Sequence, residues 1–126
     1  MGVESAPGAG LAALLEGLDA VAADDGGLVD AIVAAQRQIS HLRGLQARWS
    51  HELATRESYA FCAGCDDEVD DARGWVRHRD HPVRVVASEL SAALCWAPFQ
   101  ADARTVVALE LVRELPATLA ALTAGV

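Results

Sequence analysis

Residues 28–57, LVDAIVAAQRQISHLRGLQARWSHELATRE, decide the fold of this chain. Their large or apolar side chains recur at alternating four- and three-residue steps, the spacing that lines one side of a helix. The series is Leu28, Ile32, Ala35, Ile39, Leu42, Trp49 and Leu53. Gln46 is the one polar residue in the series, and no proline interrupts it. The pattern predicts one long helix from Leu28 to Glu57, whose apolar stripe must be buried either on the helices that follow or in a dimer.

The segment before the long helix contains a short helix and two breaks. Residues 1–10 contain a proline and three glycines, and they are predicted to form a disordered lead. A helix from Leu11 to Ala23 is expected next, followed by the breaker Asp24–Gly27, whose acids suit a helix N-terminus. Gly44, in the middle of the long helix, costs about 1 kcal/mol relative to alanine. This glycine therefore indicates a close approach by a neighbouring helix.

Downstream of the long helix the sequence predicts a connection and then a pair of helices. Residues 58–81 have no apolar periodicity and are predicted to be a long connecting loop. Pro82 suits the first turn of a helix that ends near Trp96, and after a short break a further helix is expected over Gln100–Glu114. The result is a single helical domain, residues 11–126, with a C-terminal helix-turn-helix-like hairpin.

The composition also favours an all-α fold. Apolar residues make up 52% of the chain and come mainly from Ala, Leu and Val, whereas aromatic residues make up 5%. Small aliphatic side chains of this kind suit closely packed helices better than a β-sandwich. The expected architecture is therefore a small helical bundle that contains one long helix.

The charge limits the partners that the chain can bind. All ten basic residues are arginine, and the net charge is −8. Because phosphate binding relies on clustered positive charge, any contact with DNA must be local. The N-terminal region matches neither a secretory signal nor a membrane span, so a cytoplasmic protein without membrane contact is expected.

The C-terminal stretch carries a resemblance to a known family. Residues 108–125, ALELVRELPATLAALTAG, resemble the helix, Leu-Pro turn and Ala-Leu-x-x-Gly segment of an actinobacterial domain of unknown function. That domain precedes HNH endonuclease domains in the mobile-element-associated thirteen-E-twelve repeat family. The resemblance extends over about Leu28–Val126 and is strongest after Val85. It implies that this chain is a fragment lacking the HNH domain, because family members continue beyond Gly125.

Two groups of residues are candidates for DNA binding. A helix-turn-helix places the first residues of its second helix on base edges, and here these residues are Gln100, Arg104 and Thr105. A basic cluster just before and within the preceding helix offers phosphate contacts through Arg77, Arg79 and Arg84. A plain helical hairpin and a solvated run of charge explain the same residues, so both interpretations stay open.

Four residues have the composition of a structural zinc site. Cys62-x2-Cys65 is followed after twelve residues by His78-x2-His81, and two thiolates with two imidazoles satisfy the tetrahedral preference of zinc. The histidine pair is one residue tighter than is usual, and the intervening segment is acidic. The alternative is that the chain binds no cofactor and the cysteines are free thiols.

The sequence contains no complete catalytic apparatus. Without lysine there is no Walker-type phosphate-binding lysine, and without asparagine the His-Asn-His core of an HNH nuclease cannot be assembled. We therefore expect a protein that is not an enzyme by itself. Two functions stay open: a DNA- or partner-binding module of an HNH-endonuclease-like protein, or a helical scaffold that dimerises through its long helix and touches no nucleic acid.

Overall fold

The computed structural model describes residues 5–56 and 72–126, with the side chains of residues 72–82 outside the description. The described ranges contain five α-helices and no strand. These helices are α1 (Ala9–Glu16), α2 (Asp25–Thr55), α3 (Ala72–Leu94), α4 (Pro98–Arg113) and α5 (Pro116–Ala124). The predictions of an all-α fold and of one long helix are confirmed.

The start of α2 is determined by its aspartates. Asp24 Oδ1 accepts a hydrogen bond of 2.7 Å from the backbone N–H of Gly27, which satisfies one of the donors that every helix N-terminus leaves open. Asp25 lies in the first turn, where a negative charge interacts favourably with the helix dipole. The helix therefore begins three residues earlier than the apolar periodicity alone predicts, at Asp25 rather than Leu28.

The N-terminal segment differs from the prediction at both of its breaks. Residues 1–4 lie outside the described residues. The predicted disorder of residues 1–10 is wrong at Ala9 and Gly10, because both belong to α1. The backbone N–H of Gly8 donates to Gln38 Oε1 at 2.8 Å, which attaches this segment to α2. The helix also ends earlier than expected, at Glu16 with Gly17 as its C-cap. Beyond it, the Asp19 carboxylate accepts the N–H groups of Val21 and Ala22, a local turn that replaces the expected helix.

The predicted connection over residues 58–81 is wrong in its last part. Helix α3 begins at Ala72, so Pro82 lies inside the helix and not in its first turn. Proline has no backbone N–H and is therefore common in the first turn of a helix, where that donor has no partner within the helix. This preference led to the wrong prediction at Pro82. Residues 72–81 are mostly charged or polar, so they show no apolar periodicity from which a helix could be predicted.

The chain forms two compact units, and the first comprises the described residues up to Gln46 together with Leu115–Val126. Its buried apolar residues are Leu11, Ala34 and Leu119. Helices α2 and α5 lie so close that a Cβ atom on Gly44 would be 2.6 Å from Thr123 Oγ1. The N–H of His41 Nδ1 donates to the carbonyl of Thr123 at 2.7 Å. The predicted close approach at Gly44 is confirmed.

Helix α5 ends at a glycine that the position requires. Gly125 has a φ of 76°, and its N–H donates to the carbonyl of Leu122 while the N–H of Val126 reaches the carbonyl of Ala121. This pair of bonds forms a Schellman motif, which favours glycine because a Cβ atom disfavours the left-handed conformation. A Cβ atom here would also lie 2.9 Å from the backbone oxygen of Arg37.

The second unit, Ala47–Glu114, contains the end of α2 and the whole of α3 and α4. Val86 is fully buried and forms a core cluster with Ala54 and Leu109. The half-buried side chains packed against this cluster are Leu53, Val83 and Leu90. One residue from each of the three helices therefore meets at the centre of this unit.

A tight turn joins α3 and α4 into the predicted hairpin. Cys95 follows the last residue of α3 with a φ of 53°, a left-handed conformation that side chains disfavour. The N–H of Trp96 donates to the carbonyl of Ser91 at 3.1 Å, and the Ser91 hydroxyl donates to the carbonyl of Trp96 at 2.7 Å. Pro98 occupies the first turn of α4, where its missing N–H costs nothing.

Candidate interaction surface

The apolar stripe of α2 is largely exposed. Ile32 is 70% exposed, Trp49 is 63% exposed, and Ile39 and Leu42 are each more than 40% exposed. Leu28, Ala35 and Leu53 are half-buried. Helix α2 does pack on other helices, and Leu53 contacts the core cluster of the second unit, but the following helices bury the stripe only in part. Burial of the remainder in a dimer stays a prediction.

Helix α2 instead turns its smallest side chains inward. The buried residues of the helix are Ala34, Gly44, Ala47 and Ala54. Small side chains let two helix axes approach closely, which brings many atoms into van der Waals contact. Large aliphatic residues on the same side would hold the neighbouring helices apart. The buried positions of α2 are thus occupied by small residues in each unit, and several of its large apolar residues face solvent.

Within the first unit, six residues at four- and three-residue steps lie on one exposed side of α2. We call this surface the outer face, and it consists of Asp25, Val29, Ile32, Gln36, Ile39 and Arg43. Val29 is 60% exposed, and Asp25, Gln36 and Arg43 are exposed as well. Sequence analysis missed Asp25, Val29, Gln36 and Arg43, although a change from acid to base along the helix was visible. Exposed apolar clusters with polar ends are typical of interaction sites.

The residues predicted to read bases do not lie on one exposed surface. Thr105 is 1% exposed, and its hydroxyl donates to the carbonyl of Ala101 at 2.8 Å. A base contact by Thr105 is therefore wrong, because its side chain faces the core of the unit with its hydrogen bond already satisfied. Arg104 lies over the ring of Trp96, 4.4 Å from its centroid, in a cation–π contact. Gln100 is exposed in the first turn of α4.

The predicted phosphate-binding residues are placed only in part. Arg84 is exposed and lines an open depression of about 420 Å³ between α3 and α4, together with Ser88, Ser91 and Asp102. The Asp102 carboxylate would repel a phosphate at that position. The side chains of Arg77 and Arg79 lie outside the described residues.

The exposed large apolar residues of α4 are Phe99, Val106 and Val107.

The predicted zinc ligands fall outside the described part of the chain. This applies to Cys62 and Cys65 entirely and to the side chains of His78 and His81, whose backbone belongs to α3. Where side chains are described, residues 5–56 and 83–126, no three His, Cys, Asp or Glu residues come together as a metal site would require. Cys95, which is exposed, is a free thiol.

The chain was also compared with known proteins. Neither protein-family models, nor curated protein sequences, nor solved structures gave a match. Among the helices of the described ranges, none combines the length and the apolar character that a membrane crossing needs.

Proposed function

We propose that this chain is a non-catalytic helical module that self-associates through the outer face of α2. The observation that supports this function is the exposure of Val29, Ile32 and Ile39 on one side of a regular helix. An exposed apolar side chain gains about 25 cal/mol for each Å² that a partner removes from water. A second copy of the chain offers the same apolar side chains and so provides a partner of matching character.

The size of the surface limits the strength of this association. The outer face from Asp25 to Arg43 spans about 27 Å along the helix axis, at 1.5 Å per residue. Stable interfaces bury about 800 Å² on each partner, whereas one helix face of this length supplies less. We therefore expect a dimer that dissociates in the micromolar range and does not behave as an obligate oligomer.

Analytical ultracentrifugation tests this function directly. We expect the average mass to rise from monomer to dimer between about 1 and 500 µM, with a reductant present to prevent disulfide exchange. Ile32→Glu and Ile39→Glu should each keep the protein monomeric, because a charge on the outer face would be buried without a partner. Val107→Glu, at a residue of α4 that is 57% exposed, is the matched control and should leave the dimer intact. A wild-type chain that stays monomeric throughout would contradict the proposal.

A second candidate function is the DNA- or partner-binding module of an HNH-endonuclease-like protein. It is supported by the hairpin of α3 and α4 and by the break at Leu115–Pro116 that leads into α5, since the resemblance implies this layout. Exposed Arg84 and Arg104 would supply positive charge near the turn of the hairpin. In this function the chain binds and a separate nuclease domain cuts.

DNA binding can be tested through its salt dependence. Fluorescence anisotropy of a labelled duplex should show affinity that falls at least tenfold between about 50 and 200 mM salt if phosphates are contacted. Arg84→Gln should weaken this binding, and Arg113→Gln, near the other end of α4, is the control. If the anisotropy of the labelled duplex does not change as protein is added at low salt, the DNA-binding form of this candidate is excluded.

A further inference from the structure

The outer face of α2 has a pattern that is symmetric when the helix direction is reversed. Its residues follow steps of four, three, four, three and four, and this series is the same from either end. Reversal pairs Asp25 with Arg43 at the ends and Val29 with Ile39 inside them. Ile32 and Gln36 form the central pair. Opposite charges thus pair at the ends and at least one apolar residue is present in each inner pair.

We propose that two copies associate antiparallel through this face, about a two-fold axis that crosses the face between Ile32 and Gln36. Asp25 of each copy then faces Arg43 of the other, Val29 faces Ile39, and Ile32 faces Gln36. This inference rests on the proposed self-association and specifies its geometry. The interface is isologous, so the same surface serves both copies and the assembly closes at a dimer.

The charges select the antiparallel arrangement over a parallel one. A parallel pair in register would place Asp25 beside Asp25 and Arg43 beside Arg43, and like charges at such positions are destabilising. The antiparallel pair replaces both repulsions with attractions. It also places the N-terminus of one helix near the C-terminal half of the other, which is the favourable relative direction of two helix dipoles.

Charge reversal distinguishes these arrangements. We expect Asp25→Arg and Arg43→Asp, each alone, to raise the dimer dissociation constant about tenfold, because two ion pairs per dimer become two repulsions. The double variant Asp25→Arg/Arg43→Asp restores opposite charges across the axis and should return the constant to within about threefold of wild type. In a parallel dimer the double variant would offer no such recovery.

The control uses the same charges at exposed positions of α2 outside the outer face. Asp30 and Arg48 are both exposed, and at 100° per residue both lie on the side of the helix away from the outer face. The double variant Asp30→Arg/Arg48→Asp changes the same number of charges and should leave the dissociation constant unchanged. Circular dichroism melting of every variant verifies that each one is folded before its mass is compared.

The outcomes separate the geometry from the function. Recovery in the double variant, with no change in the control, supports the antiparallel dimer. Loss of the dimer in Ile32→Glu without recovery in Asp25→Arg/Arg43→Asp would overturn the antiparallel register and leave self-association standing. A wild-type chain that is monomeric at every concentration would overturn the self-association itself.

Discussion

The inward and outward sides of α2 differ in the size of their apolar side chains. Within the first unit, the inward side has Ala34 and Gly44, whereas the outward side has Val29, Ile32 and Ile39. Apolar side chains lie on both sides, so the hydrophobic effect alone does not decide which of them are buried. Close approach of the helix axes favours burial of the side with small residues, because small side chains allow more atoms to make contact across the interface.

Helix α4 shows the same selection by size. Its buried residues are Ala101, Thr105, Ala108 and Leu109, whereas Phe99, Val106 and Val107 are exposed. Thr105 is tolerated inside because its hydroxyl bonds to the carbonyl four residues earlier and leaves no unsatisfied donor. In both helices, therefore, most of the buried positions have small residues, while several bulky apolar residues face solvent.

The strongest test of this comparison places the same charge on the two sides of α2. Ala34→Glu should lower the free energy of unfolding by about 3 kcal/mol or more, because it buries a carboxylate without a partner. Ile32→Glu should change the free energy of unfolding by less than about 0.5 kcal/mol, since that side chain is exposed in the monomer. Urea denaturation at concentrations below the dimer dissociation constant measures both.

If Ala34→Glu does not fold, a milder variant keeps the comparison measurable. Ala34→Leu adds apolar volume to a closely packed side and should cost about 1–3 kcal/mol. Equal losses in the free energy of unfolding for substitutions at Ile32 and Ala34 would contradict the burial of Ala34 and the exposure of Ile32.

A smaller effect is expected at the helix crossing. In Gly44→Ala the new Cβ would lie 2.6 Å from Thr123 Oγ1 and 3.2 Å from the Thr123 backbone. We expect a net loss of about 2 kcal/mol in the free energy of unfolding, since the clash exceeds the gain of about 1 kcal/mol in helix propensity. Gly10→Ala, in α1 with open space around the position, is the control and should stabilise the protein. Adding Thr123→Ala to Gly44→Ala should recover part of the loss, and no recovery would assign the cost to another cause.

The sequence predicts the helices of this chain better than it predicts their orientation. The sequence predicted a short break before α4, the family resemblance implied the Leu-Pro turn before α5, and Gly44 indicated the helix crossing. The inward side of α2 was not predictable from its stripe, because a four-three pattern of large residues describes a buried side and an exposed dimer face equally well. Thr105 was predicted to contact bases from its place in the second helix of a helix-turn-helix, but its side chain is buried and its hydroxyl bonds to its own helix.

A third prediction concerns the turn between α3 and α4. Cys95 adopts the left-handed conformation at a φ of 53°, which costs a residue with a Cβ atom about 1 kcal/mol relative to glycine. Cys95→Gly should therefore raise the free energy of unfolding by up to about 1 kcal/mol, less what the unfolded chain gains in flexibility. Thermal melting compares it with Cys95→Ala, which removes the exposed thiol but keeps the Cβ atom and should give no gain. Equal stability of the two variants would show that the turn is not strained at this residue.

The smallest effect is expected from metal removal, because both described cores are apolar. Leu11 and Leu119 are buried in the first unit, and Val86 and Leu109 are buried in the second. Chelation with EDTA should therefore leave the helical circular dichroism signal unchanged and shift the melting temperature little. The zinc hypothesis adds that Cys62, Cys65, His78 and His81 hold one ion with ligand distances of about 2.0–2.3 Å.

Elemental analysis of protein purified without chelator tests the zinc hypothesis separately. One zinc ion per chain, lost together in Cys62→Ser and Cys65→Ser but kept in Cys95→Ser, would support the site. A zinc-to-protein ratio near zero would contradict the zinc hypothesis. Cys65→Ser should then leave the melting temperature unchanged. If chelation instead melts the helices of either unit, a metal ion rather than the packing of small side chains holds that unit together, because only a ligand set that forms on folding makes stability depend on the metal.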